Sequence, residues 1–269
     1  MPVLDLATTL KSMRERAALI HHITNWVTIE GCAQVTRRWG CLPVMAHARD
    51  EVREMVGLAS ALVLNIGTLT RDLVDAMLEA AAAANAKKIP VVLDAVGVGA
   101  TKFRTTQAAR LLGQTRIDVI KGNAGEIASL AGISAEVRGV ESINVGGDIG
   151  AAARDLANKH KNVVVVSGAA DIVTDGARGL VLKCGHPIMG SVVGTGCLSS
   201  STVGCFLSVG GGYLDLAAQA MAAFGMAGTR AASKARGPGD FIAMLENEIE
   251  AMSFEPSGLS AEASELPIH

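Results

Sequence analysis

The sequence predicts an α/β sandwich with a mostly parallel central sheet, and three observations carry that prediction. Leu19–Ile23, Ala61–Ile66, Pro90–Asp94, Ile117–Ile120 and Val163–Ser167 are short runs of nearly continuous hydrophobicity, as expected of strands buried on both faces. Helix-like stretches separate these runs, which argues for right-handed crossovers between parallel strands. Finally, Asp175-Gly176 lies between Asp171–Thr174 and Ala177–Leu182. That pair is a strong hairpin signal and predicts an antiparallel edge to the sheet.

The helices follow from their caps and apolar spacing. Thr70 is a suitable N-cap for a stretch running through Leu73, Met77, Ala81 and Ala84, which ends before Pro90 restarts an extended segment. Thr101–Leu112, Asn123–Ala131 and Asp148–Lys159 read the same way. After Gly194, Leu198–Leu207 and Leu214–Ala235 read as long helices whose Ala, Gly and Ser residues permit close packing. Residues 253–269 are acidic, poor in large apolar side chains and punctuated by Pro256 and Pro267, so a disordered tail is predicted there. Residues 1–252 contain no repeat or linker and are predicted to form one domain.

Composition narrows the function. The 269 residues are 49% hydrophobic and 19% charged, with 30 Gly and 7 Pro, a profile of a compact soluble protein. A formal charge of −2 and 3% aromatic residues give no support to nucleic-acid or anionic-membrane binding. The cysteines Cys32, Cys41, Cys184, Cys197 and Cys205 form no C-x-x-C pair, which excludes the usual zinc and redox motifs. Reduced thiols, no apolar leader and no membrane-length apolar run point to the cytoplasm.

Chemistry concentrates in three places. Val193-Gly194-Thr195-Gly196-Cys197 opens a helix, where converging backbone N–H groups and the helix dipole would cradle an anion. It lacks the Lys and Ser/Thr of a P-loop and lies too late for a dinucleotide fingerprint. Asp94 closes one strand run, and Asn123-Ala124-Gly125-Glu126 follows another, at strand C-terminal ends where open α/β sheets bind ligands. Each acid could simply cap a helix. Beside a phosphate cradle, the pair is better read as holding Mg²⁺ through water.

His22-Ile23-Thr24-Asn25, Pro43-Val44-Met45-Ala46, Leu62 to Leu69, Val96 to Ala100, Gly122 to Glu126, Val193 to Cys197 and Gly237-Pro238-Gly239, all in register, carry a resemblance over nearly the whole chain to the hydroxyethylthiazole kinase family. It implies a ribokinase-like three-layer α/β/α fold, a homotrimer with sites at subunit boundaries, and ATP and Mg²⁺ as co-substrate and cofactor. By position, Asn25, Met45, Gly67, Thr68 and Gly194 resemble the thiazole pocket. Lys121, Ser167, Gly168, Thr195 and Gly196 resemble the ATP site, and Asp94 and Glu126 the magnesium-side acids. Lys121 stands where the family usually has Arg, Ser167 where Thr is usual, and Ala95 where Pro is usual.

The implied reaction is phosphorylation of the primary alcohol of 4-methyl-5-(2-hydroxyethyl)thiazole, in thiamin salvage. Cys197 occupies the place of the Asp base of many ribokinase-fold enzymes. Its position at a helix N-terminus predicts a lowered thiol pKa and a role in orienting or deprotonating the alcohol. Two other readings stay open at this point. One is a kinase for a pyrimidine or pyridoxal-like alcohol; the other is a weakly active, ligand-sensing relative.

Overall fold

The computed structural model describes residues 2–133 and 148–267. The first half alternates strand and helix: β1 (Val3–Asp5), α1 (Leu6–Arg16), β2 (Leu19–Ile23), α2 (Ile29–Arg38), β3 (Leu42–Val44), α3 (Val52–Leu58), β4 (Ala61–Asn65) and α4 (Arg71–Lys87). Next come β5 (Val91–Asp94), α5 (Lys102–Gln114), β6 (Val119–Asn123), α6 (Ala124–Leu130), α7 (Asp148–His160), β7 (Val163–Ser167), β8 (Asp171–Thr174) and β9 (Gly179–Leu182). The chain finishes with α8 (Thr195–Leu207), α9 (Tyr213–Ala232), α10 (Pro238–Phe254), β10 (Ser260–Glu262) and β11 (Ser264–Glu265).

The main sheet has the order β11-β9-β8-β7-β6-β5-β4-β2-β3. Strands β3, β2, β4, β5, β6 and β7 run parallel, and β8, β9 and β11 add an antiparallel edge. Side chains along each strand alternate between two cores. Ala61 and Val63 of β4 face a core shared with α1, α2, α8, α9 and α10. Leu62 and Leu64 face the other, shared with α3 to α7. Three layers follow from strands that bury apolar side chains on both faces.

Local chemistry fixes the helix starts. Thr70 and Thr101 accept N–H bonds from Leu73 (3.1 Å) and Arg104 (3.2 Å), as N-caps do. The hairpin turns at Asp175, whose carboxylate accepts the Ala177 and Arg178 amides at 3.0 and 2.7 Å. Helix α8 begins at Thr195, three residues before the apolar pattern predicts, because its first turn is the glycine-rich segment itself. Gly204 lets this helix press on the sheet, since a Cβ there would lie 2.4 Å from Val63 Cγ2.

The predicted disordered tail is overturned for residues 253–267; residues 268 and 269 lie outside the described residues. Strand β10 pairs antiparallel with β1, and β11 pairs with β9. The Leu259 carbonyl accepts the Leu6 and Ala7 amides at 3.2 and 3.1 Å, satisfying first-turn donors of α1. Bulk composition concealed an alternation: Ala261, Ala263 and Leu266 are buried, while Glu262 and Glu265 face outward. Leu266 fills the space that Gly150 and Gly179 leave open. Among the described residues, no helix is long and apolar enough to cross a membrane.

Because Leu266 is the main apolar anchor of this segment, Leu266→Ala should cost about 2–5 kcal/mol. Urea unfolding measures it, and an unchanged midpoint would show that the C-terminal strands contribute nothing to stability.

Candidate active site

Parallel strands bring their carboxyl ends together, and here three polar side chains stand side by side. Register pairs Asn65 of β4 with Asp94 of β5, and Asp94 with Lys121 of β6. Asp94 is 2% exposed and Lys121 only 1%. Burial raises the Asp94 carboxyl above its ordinary value, while the Lys121 charge and hydrogen bonds from Ser200, Cys197 and Asn65 pull the other way. Asn65 Nδ2 donates to Asp94 Oδ2 at 2.6 Å.

Above this row lies the start of α8. Gly194 has φ 99°, and a Cβ there would meet Thr28 Cγ2 at 2.7 Å, so the turn requires glycine. The first intrahelical bond of the segment is Leu198 N–H to the Gly194 carbonyl at 2.9 Å, so the preceding amides belong to the free N-terminal turn. Thr195 Oγ1 donates to the Met189 carbonyl at 2.9 Å. Lys121 Nζ donates to the Gly196 carbonyl at 3.0 Å, which brings a buried cation beneath the turn.

One side of the turn opens into a cavity of about 480 Å³ lined by Ser167, Gly168, Asp171, Cys184, Thr195 and Gly196, among others. Asp171 Oδ1 accepts the Gly168 amide at 2.9 Å. Burial pushes Asp171 up to about 6, against the Gly168 bond and the Lys121 charge. On the other side lies Asn25. Its Oδ1 accepts the Val27 and Thr28 amides, both at 3.0 Å. Its Nδ2 lies 2.8 Å from Thr28 Oγ1, 3.0 Å from Asn65 Oδ1 and 3.4 Å from Cys197 Sγ. Gly67 packs against Asn25, and Thr68 Oγ1 accepts the Trp26 amide at 3.1 Å. Met45 joins through its carbonyl to His47, whose ring packs at a tilt of 33° against Trp26.

Residues 10–255 match the model of the hydroxyethylthiazole kinase family. The chain belongs to that family. A hydroxyethylthiazole kinase from Methanosarcina mazei is 52% identical over 257 residues, covering 96% of this chain and 98% of the relative. The solved structure of a hydroxyethylthiazole kinase from Pyrococcus horikoshii superposes with a TM-score of 0.85 at 35% identity, over 97% and 99% of the two chains. A ribokinase-like superfamily protein from Enterococcus faecalis shares the fold at 12% identity, with a TM-score of 0.64 over 91% and 94% of the two chains.

Within this family member, the residues named from sequence fall into two groups around Gly194–Cys197. Ser167, Gly168, Thr195 and Gly196 share the cavity. Asn25, Gly67, Thr68, Gly194 and Cys197 form a second cluster around Asn25 and its neighbours Trp26 and Thr28, to which Met45 is linked through His47. Lys121 lies under the turn between them. Glu126 stands apart in its bonding: Oε1 accepts the Gly97 amide and Oε2 the Asn123 amide, both at 2.7 Å, while Asn123 Oδ1 accepts the Glu126 amide at 2.9 Å. This is a capping box that also ties down the loop after β5. Burial raises the Glu126 carboxyl, and the nearby Asp94 charge adds to that rise.

The Cys197 pKa shifts in the direction opposite to the lowering expected from its helix-start position. Burial, reinforced by the Asp94 charge, pushes Cys197 up to about 11. The helix N-terminus favours a thiolate, but desolvation beside a carboxylate outweighs it.

Three contributors escaped the sequence reading. Asn65 obeys the same strand-end rule that singled out Asp94, and that rule could have found it. Arg104 clamps two loops, with Nη1 on the Ile66 and Val96 carbonyls at 2.7 and 3.1 Å and Nη2 on the Gly67 carbonyl at 2.7 Å; no local pattern signals this. Asp171 starts the hairpin, and only the folded cavity reveals its burial.

Two outcomes follow. A neutral thiol predicts that Cys197→Ser keeps kcat within a few-fold of wild type around neutral pH. A loss of about 10²-fold or more, the range of general-base assistance, would restore Cys197 as the base. Asp171 binds its proton more tightly folded than unfolded. Its stabilising contribution is therefore complete below the ordinary value of 3.8 and is lost as pH rises through about 6. Asp171→Asn should thus stabilise the protein at neutral pH by about 1–3 kcal/mol relative to wild type. Urea midpoints measured across that window test it, and parallel curves for the two proteins would refute the buried-acid reading.

Proposed function

We propose that this chain transfers the γ-phosphoryl group of ATP to the primary alcohol of 4-methyl-5-(2-hydroxyethyl)thiazole, the thiamin-salvage reaction. The single observation that carries the reading is the arrangement around Gly194–Cys197. A glycine-started helix separates a nucleotide-sized cavity from the Asn25 side, with Lys121 and Asp94 buried beneath it. The name shared by relatives at about half identity over nearly the whole chain supports the same substrate.

The residues divide the work as follows. Ser167, Gly168, Thr195 and Gly196 receive the nucleotide, and the N–H groups at the start of α8 face its transferring phosphate. Asn25, Met45, Gly67, Thr68 and Gly194 hold the thiazole alcohol, with Met45 as an adaptable apolar wall. The alcohol oxygen attacks the γ-phosphorus, the bond to ADP breaks, and the hydroxyl proton leaves to a nearby acceptor or water. Such a loose transfer needs positioning and charge compensation more than a strong base, which suits a neutral Cys197 thiol beside the hydroxyl. Lys121 offsets phosphate charge.

Asp94 and Glu126 fit a hard, water-retaining cation. Each Glu126 oxygen spends one lone pair on a backbone amide, leaving outer lone pairs for metal-bound water. Mg²⁺ held there would neutralise charge on the phosphates.

The assembly we propose is a homotrimer with sites at its boundaries. Trp26 (58% exposed), Val27 (68%) and Val193 (81%) are apolar yet open to solvent, and they flank Asn25 and Gly194. Burial against a neighbour would cover them. Five unpaired thiols suit the reducing cytoplasm.

Turnover of ATP with the thiazole alcohol, with pyrimidine and pyridoxal alcohols, and with no acceptor tests the activity. Thiazole-dependent ADP formation is expected, and a preference for either other alcohol would replace this reading. Asp94→Ala and Glu126→Gln should raise the magnesium concentration needed for half-maximal turnover. If both reproduce the wild-type titration, the metal assignment fails.

A further inference from the structure

Asn65 lies at the C-terminal end of β4, 1% exposed, and reaches no open space itself. It nonetheless touches both halves of the site. Its Oδ1 accepts the Gly67 amide at 2.9 Å and the Asn25 side-chain amide at 3.0 Å. Its Nδ2 donates to Asp94 Oδ2 at 2.6 Å.

The direction of this chain of bonds is not free. An amide side chain can be turned over, exchanging donor for acceptor. Here three backbone amides forbid it. Gly67 N–H can only donate, so the oxygen of Asn65 must face it and the NH₂ must face Asp94. Val27 and Thr28 N–H likewise hold the oxygen of Asn25, so its NH₂ must face Thr28, Asn65 and Cys197. Each polarity supports the next, and Asp94 Oδ2 is left as the acceptor at the end.

We infer that Asn65 is a positioning residue that couples the alcohol side of the site to Asp94, aligning the carboxylate only when Asn25 and Gly67 are in place. This rests on the kinase reading above. Its Oδ1 serves the alcohol side and its Nδ2 serves the phosphoryl side, so the two functions can be separated by chemistry. Asn65→Asp keeps the size and the oxygen facing Gly67 and Asn25, but sets a second carboxyl against Asp94, which loses its donor wherever both groups are ionised and regains one only where the pair shares a proton. Asn65→Ala loses both.

The experiment measures kcat, KM for ATP, and the Kd of the thiazole alcohol by calorimetry without nucleotide. For Asn65→Asp, kcat should fall roughly 10- to 100-fold at pH values where both carboxyls are ionised, the loss of one charge-assisted hydrogen bond, and recover at lower pH where the pair shares a proton, while Kd for the alcohol and KM for ATP hold. For Asn65→Ala, kcat should fall and Kd should weaken as well. Circular dichroism and thermal melts identify any variant that has lost its fold. If Asn65→Asp does not fold, Asn65→Ala alone decides, since an unchanged Kd there overturns the coupling. An Asn65→Asp enzyme with wild-type kcat at every pH overturns it too. Should wild type itself ignore the thiazole alcohol, the functional reading falls. The inference is then judged by NMR: Asn65 side-chain NH₂ protons in rapid exchange with water would overturn it, and slow exchange that is lost in Asp94→Ala would uphold it.

Discussion

The site depends on holding charge out of water at the ends of β5 and β6. Lys121 and Asp94 are neighbours in register and almost wholly buried. Removing either alone would leave the other uncompensated, an arrangement that costs several kcal/mol in a protein interior. The surrounding groups are accordingly all polar partners. Gly196 offers a carbonyl to Lys121, while Asn65, Ser200 and Cys197 offer donors to Asp94. The position of α8 is therefore set by electrostatics at its first turn as much as by the apolar packing along the rest of it.

The same constraint decides what Cys197 can be. A thiol at a helix N-terminus in open water would lose its proton more readily. Placed in a dry pocket beside a carboxylate, it holds that proton far above neutrality. Helix dipole and desolvation act on the same atom with opposite signs, and the magnitude of burial decides the outcome. A sequence motif shows the first effect and is silent about the second.

The parallel strands were legible because their burial on both faces leaves nearly unbroken apolar runs, and the hairpin because Asp175-Gly176 is chemically suited to its turn. Asp94 and Glu126 were legible as strand-end acids, although the capping-box geometry of Glu126 needed the fold. Helices α1, α2, α3 and α10 went unread because their apolar spacing is mixed with polar and small residues. The C-terminal strands went unread because three buried side chains among acidic neighbours are too few to move a compositional average. Arg104 and Asp171 act through partners distant in sequence, so no window along the chain contains the cause.

That C-terminal ribbon has a consequence for biogenesis. Until Ser264 and Glu265 leave the ribosome, β9 presents an unpaired edge of Gly179–Leu182, the kind of surface on which chains stick to one another. Only residues made after the whole site close it, and they do so with a strand that is two residues long, carries Glu265 and is followed shortly by Pro267. Such a strand ends the sheet without offering a new edge of any length. Nascent or truncated chains lacking it would be the aggregation-prone species, even with every residue of the site already folded.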